Sequence, residues 1–167
     1  MFKPTDKPKR YLAAAAFAAV LITVPCLGAL NTSADQARME LPAPEHFEIS
    51  SVYGSRYDHS DFHMGIDISD AEIANSDVVA AADGKVVDVT SEKSEQGYGV
   101  SIIIAHENGL FTRYAHLASE SVSKGDTVAK GQTIGTVGDT GAADFPQLHF
   151  EVIRDGKTVD PMQYFEK

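Results

Sequence analysis

Past position 80 the apolar residues come in short β-branched runs with polar residues between them, and glycines bound the runs. Lys85-Val86-Val87-Asp88-Val89, Val100-Ser101-Ile102-Ile103-Ile104 and residues 110–117 each read as a strand. Such side chains pack well on a pleated, half-buried surface. Between the last two runs sits Asn108-Gly109, a pair that favours a type I′ hairpin turn. Asp155-Gly156 repeats that signal between residues 149–154 and 157–159. Glycines at 125, 131, 135, 138 and 141 set off a further strand pair near residues 127–129 and 132–137. No stretch of ten or more residues after position 35 carries an apolar period of 3.6. The pattern predicts an all-β domain, an antiparallel β-sandwich or partly open barrel.

The first residues break this pattern. Lys3, Lys7, Lys9 and Arg10 form a basic start, and residues 11–24 then run without a charge, rich in Ala, Val and Leu. That is the layout of a secretory signal, here an N-terminal helix over residues 1–34 with Thr32-Ser33-Ala34 as the cleavage site and Leu27-Gly28-Ala29 as an alternative. An uncleaved anchor is the competing expectation, since roughly 20 apolar residues span a bilayer. Lipidation at Cys26 is a third. Residues 35–49, with Leu41-Pro42-Ala43-Pro44, read as a linker with little structure of its own, which places the domain over residues 50–167.

Charge and cysteine content narrow the classes. Cleavage after Ala34 removes four basic residues and Asp6, leaving ten basic against 23 acidic residues and a net charge of −13. That excludes nucleic acid as a partner, and a membrane partner too unless the N-terminal segment stays uncleaved, because both surfaces demand basic patches. Cys26 is the single cysteine, so the exported domain has no disulfide and relies on its core.

The chemistry concentrates in three phrases. His63 and Asp67 lie four residues apart in Phe62-His63-Met64-Gly65-Ile66-Asp67-Ile68, and His149 lies in Gln147-Leu148-His149-Phe150-Glu151. Residues i, i+2 and i+4 of a strand share a face. His63 and Asp67 then project together, with Gly65 allowing close approach between them. Gln147, His149 and Glu151 share one face and Leu148, Phe150 and Val152 the other, while Tyr114 and His116 point one way. Two imidazoles and a carboxylate, with a fourth position left for water, make a catalytic zinc site. Glu151 either bonds a ligand imidazole or joins a surface ion pair. Arg56 and Tyr114 are candidates for contacting substrate. His46, His59 and His106 are read as polar surface residues.

Several phrases follow one another in the order and spacing of a known domain. They are Ser55-Arg56-Tyr57, the His63 and Asp67 run, Val79-Ala80-Ala81-Ala82-Asp83-Gly84-Lys85-Val86, Tyr98-Gly99, Arg113-Tyr114-Ala115-His116-Leu117, Lys124-Gly125-Asp126-Thr127-Val128, Gly138-Asp139-Thr140-Gly141 and Leu148-His149-Phe150-Glu151. The chain resembles the lysostaphin-type zinc endopeptidases, the LytM-domain family, over about residues 50–165. The resemblance implies a β fold of the duplicated hybrid motif type, one Zn2+ held by His63, Asp67 and His149, and His116 as a catalytic residue that is not a ligand. The family's second catalytic histidine falls at Gln147, which departs from it. An amide can orient water or an oxyanion but cannot exchange a proton, so His116 carries proton transfer alone. The expected function is that of an exported metalloendopeptidase, a hydrolase of the periplasm or cell envelope that cleaves peptide cross-bridges or stem peptides of the peptidoglycan cell wall. The alternative is a degenerate, non-catalytic domain that binds and regulates another cell-wall hydrolase.

Overall fold

The computed structural model describes residues 38–43, 48–56, 61–92 and 97–165. The expected signal segment with Cys26, and also His46 and His59, lie outside the described residues. Among the described residues twelve strands follow in chain order: β1 (Glu48–Ser51), β2 (Gly54–Arg56), β3 (Asp61–His63), β4 (Ile66–Ser69), β5 (Asp77–Val79), β6 (Gly84–Thr90), β7 (Val100–Ala105), β8 (Leu110–Glu120), β9 (Thr127–Val128), β10 (Thr133–Val137), β11 (Leu148–Arg154) and β12 (Lys157–Val159). The main sheet runs β1-β4-β11-β8-β7-β6-β9. Every pairing along that path is antiparallel. The sheet is antiparallel and not closed, in line with the expected all-β, partly open architecture. β2 and β3 form a small separate ribbon.

Alternation along β11 decides what faces the core. Leu148, Phe150 and Val152 are fully buried, and so are Ile66 and Ile68 of β4, Tyr114 of β8, and Ile102 and Ile104 of β7. At about 25 cal/mol per Å² of apolar surface, burying each such side chain contributes roughly 1.5–3 kcal/mol. The other face of the same strands carries Asp67, His149, Glu151 and Arg113. One sheet thus supplies the core with one set of side chains and the site with the next.

The hairpin turns form where the sequence places them. Asn108 and Gly109 have φ of 60° and 71°, and Asp155 and Gly156 have 52° and 74°, the left-handed values that a type I′ turn requires. The predicted strands near 127–129 and 132–137 also form, but not as a pair. β9 joins β6, while β10 joins β5 and β8, so each satisfies its backbone groups on a more distant strand.

Two further expectations are corrected. Residues 38–43 are not an unstructured linker. Met39 and Ala43 are buried in the core, the Met39 N–H donates to the Tyr164 carbonyl at 2.8 Å, and the Glu40 N–H donates to the Ala81 carbonyl at 2.8 Å. The long apolar side chain of Met39 anchors the stretch ahead of the prolines. The run from His63 to Asp67 is not one strand either. It breaks at Met64-Gly65 into β3 and β4, because Gly65 crosses directly under β11. A Cβ at Gly65 would lie 2.3 Å from the Phe150 carbonyl oxygen. No shift of a side-chain tip relieves that contact, since the clash is with backbone.

Gly65→Ala is therefore expected to lower stability by about 1–3 kcal/mol. Equilibrium urea unfolding of both proteins, free of metal, measures it. Equal midpoints would mean that β4 and β11 tolerate the added methyl.

Candidate metal centre

β11 lies between β4 and β8, and its register assembles the site. His149 is opposite Asp67 on one side and Ala115 on the other. Opposed residues of an antiparallel pair share a face, so Asp67 and His149 meet. His63, at the end of β3, reaches the same point after the bend at Gly65. All three are buried. Asp67 Oδ1 lies 2.7 Å from His149 Nδ1 and 3.1 Å from His63 Nε2, and the two nitrogens are 3.1 Å apart.

What stands behind each imidazole fixes its tautomer. His63 Nδ1 faces the Val52 carbonyl oxygen at 2.8 Å. A carbonyl only accepts, so Nδ1 carries the hydrogen and donates it, leaving Nε2 bare. His149 Nε2 lies 3.3 Å from Glu151 Oε1 and donates to it, leaving Nδ1 bare. The neutral rings therefore aim two nitrogen lone pairs and a carboxylate oxygen at one spot. Tetrahedral ligands at about 2.0–2.1 Å from a metal stand about 3.3 Å from one another. The two 3.1 Å spacings are close to that and the 2.7 Å one between Asp67 and His149 is shorter, and among the described residues this trio is the group whose ligand atoms all converge. The donor set fits a divalent cation with a position left open.

Three acceptors cannot face one another without a positive charge between them. Without a metal, a proton takes that place. Burial disfavours the charged His149 ring, but the hydrogen bonds to Asp67 and Glu151 outweigh it and raise its pKa above the ordinary histidine value. Burial likewise pushes the Asp67 carboxyl up, and the hydrogen bonds and charges of His149 and His63 bring it well below the usual carboxylate range. Proton and metal compete for the same lone pair, so metal uptake releases protons.

His116 stands beside this trio, its ring centroid 5.8 Å from that of His149. Strict alternation does not put it there. Tyr114 is opposite Phe150 and contacts it with ring centroids 5.3 Å apart, on the core face. Its hydroxyl accepts from the Ala81 N–H at 2.8 Å, and burial pushes its pKa up to about 12. Tyr114 is thus a core residue and not a substrate contact, and it does not share a face with His116. The reason is the backbone at His116, where φ is +62°. β8 pairs with β11 as far as Ala115 and with β10 from Leu117, so His116 is the residue at which the strand changes partner. Its left-handed conformation, uncommon for a residue with a Cβ, turns the ring from the core to the metal side. The Tyr98 carbonyl accepts its N–H at 2.9 Å, and the Thr140 carbonyl accepts from its Nδ1 at 2.7 Å. Nε2 is left as the bare nitrogen. Burial holds the His116 pKa below the ordinary value, which keeps the ring neutral at pH 7.

Gln147 enters β11 two residues before His149 and is half-buried. Its N–H donates to the Gly138 carbonyl at 3.0 Å, and the neighbouring Pro146 carbonyl accepts from the Ser69 hydroxyl at 2.9 Å. Glu151 is fully buried, so it meets the first expectation, a bond to a ligand imidazole, and corrects the second. One oxygen accepts from His149, and the other accepts from Arg113 Nη1 at 2.9 Å in an ion pair that is interior and not a surface feature. Sequence reasoning left Tyr98, Arg113 and Thr140 without roles. Arg113 shares a face with Ala115, but the reading that puts Tyr114 and His116 towards the site turns Arg113 away from it. His106, read as a surface residue, is half-buried instead, held between the Asp83 carbonyl at 2.8 Å and the Thr112 hydroxyl at 2.7 Å.

Comparison with known proteins places the chain in a family. The chain is 39% identical over 100 residues to the DD-carboxypeptidase/endopeptidase Mpg of Neisseria meningitidis serogroup B, covering 60% of the chain and 22% of that protein. It is 37% identical over 102 residues to the murein hydrolase activator NlpD of Escherichia coli K12, covering 61% of the chain and 26% of that protein. The chain thus spans well under half the length of these curated relatives. Among solved structures, the catalytic domain of a point mutant of the prophage-encoded M23 protein EnpA from Enterococcus faecalis superposes with a TM-score of 0.65 at 31% identity, over 72% of this chain and 93% of that one. The catalytic domain of lysostaphin from Staphylococcus simulans gives 0.61 at 28%, over 71% and 91%. Residues 61–161 match Peptidase family M23, and that stretch includes His63, Asp67, His116 and His149. By fold, by motif order and by this match, the chain belongs to peptidase family M23.

Proposed function

We propose that this is an exported, zinc-loaded M23 domain of the bacterial cell envelope that engages a separate murein hydrolase and switches it on. Gln147 carries this reading. An amide at that position positions a group but moves no proton, so the site lacks one half of its acid–base pair. The relatives named murein hydrolase activators support it, among them the NlpD of Escherichia coli. A Pseudomonas aeruginosa relative named as a lipoprotein, 37% identical over 117 residues, supports an envelope location. Exposed apolar side chains lend this reading further support. Val52, Phe62, Met64 and Phe145 are exposed apolar side chains that flank the ligand residues along the chain. The sequence alone favours the peptidase. The relatives support the activator at least as well, and Gln147 adds to that support.

A second reading, a slow metallopeptidase acting on peptidoglycan peptides, is favoured by the filled ligand set and by His116. Zinc held by His63, Asp67 and His149 supplies a Lewis acid that lowers the pKa of a bound water to about 7. In that reading His116, neutral and with Nε2 bare, takes the proton, and the Gln147 amide orients the water or the oxyanion.

His63→Ala and His149→Ala are each expected to lose nearly all bound zinc, as read by metal analysis of the purified domain. Zinc retained in both variants would remove the trio as the metal site.

Zinc-loaded domain alone is expected to release no muropeptides from purified peptidoglycan, followed by mass spectrometry, and to raise release by a murein hydrolase of the same envelope. His116→Ala is expected to keep that stimulation. Release by the domain alone, abolished in His116→Ala and raised at least about tenfold in Gln147→His, would establish the peptidase instead.

A further inference from the structure

We infer that Tyr98, Arg113 and Glu151 form one positioning unit that presents His149 to the metal through Nδ1 and keeps His116 beside it. The inference rests on the metal-binding part of the proposed function. It is independent of whether the domain cleaves or activates.

The three residues close a ring of contacts. Glu151 Oε1 accepts from the Tyr98 hydroxyl at 2.7 Å as well as from His149 Nε2 at 3.3 Å, and Oε2 accepts from Arg113 Nη1 at 2.9 Å. The Arg113 guanidinium lies 4.1 Å from the centre of the Tyr98 ring. Each member is fixed by the other two. Arg113 is directly opposite Glu151 across β8 and β11, so the sheet register itself delivers the pair.

Charge explains why all three are needed. Glu151 has no exposed surface, and a lone buried carboxylate is strongly disfavoured. The His149 N–H is one neutral donor and does not offset that cost. Arg113 supplies the opposite charge and Tyr98 a second hydrogen bond. With Asp67, Glu151, Arg113 and a divalent cation counted together, the centre keeps one net positive charge. A carboxylate on the far nitrogen of a ligand imidazole sets its tautomer and ring orientation.

Tyr98 also joins the two halves of the site. Its hydroxyl holds the carboxylate behind His149, its ring lies 5.8 Å from that of His149, and its carbonyl accepts the N–H of His116 at 2.9 Å. One residue therefore sets the separation between the ligand and the ring beside it, and supports the left-handed backbone at His116.

The test is zinc affinity, measured by competition with a chromophoric chelator, together with the 15N and exchange signature of the His149 ring in zinc-loaded protein. Wild type is expected to show Nδ1 metallated and a protected Nε2–H. Glu151→Gln is expected to weaken zinc binding about ten- to a hundred-fold and to speed exchange of that N–H. Tyr98→Phe keeps the ring under Arg113 and the carbonyl to His116, and is expected to weaken binding by at least about threefold. Glu107→Gln, an exposed carboxylate in the β7–β8 turn, is expected to leave affinity unchanged, which separates a local effect from loss of net charge. Should Glu151→Gln fail to fold by circular dichroism, Tyr98→Phe decides. Wild-type affinity and an unchanged Nε2–H signal in the folded variants overturn the inference, as does a wild-type protein that takes up no zinc.

Discussion

Three acceptor atoms, Asp67 Oδ1, His63 Nε2 and His149 Nδ1, stand within 3.1 Å of one another in a pocket nearly closed to water. Their mutual repulsion is the constraint that the surrounding structure answers. Each bare nitrogen exists because a carbonyl or carboxylate takes the proton on the far side of its ring. Those acceptors sit on β11 itself and on the segment between β1 and β2, so the tautomers are set by strand register and not by solvent.

The same arrangement makes the site a local cost to the fold. A domain of this size has a net stability of only about 5–15 kcal/mol. Two buried carboxylates and a non-glycine residue at φ +62° draw on that margin. The opposite face offsets the loss. Phe150, Leu148, Tyr114 and the isoleucines of β4 and β7 fill the core on the reverse side of the strands that hold the ligands. Site and core cannot shift independently, because one strand's alternation serves both.

This coupling bears on the two functional readings. A filled ligand set beside Gln147 looks inconsistent if the metal serves catalysis alone. If the metal also ties β3, β4 and β11 together, it keeps a structural value where proton transfer is lost. The metal centre then retains its shape, with exposed Phe62 and Met64 on either side of His63 along the chain, in either reading.

The strands past position 80, both type I′ turns and the three residues of the candidate metal centre are legible along the chain, whereas the short strands β1 to β5 are not. Strand alternation and turn chemistry are local, and the motif phrases are read in order. Pairing was not legible there. Thr127-Val128 and residues 133–137 look like neighbours, yet each bonds a strand brought close only by folding. Met39 looks like part of a linker until Tyr164 and Ala81 supply partners for the backbone beside it. Tyr114 and His116 look like one face, because a period of two assumes extended backbone at every residue. The left-handed turn at His116 arises where β8 leaves β11 for β10, and no property of residues 113–117 alone announces it. Tyr98, Arg113 and Glu151 are likewise 15 and 38 residues apart in sequence and meet only through loop placement and cross-strand register. Local chemistry chose the groups, and non-local hydrogen bonding between strands decided which way they point.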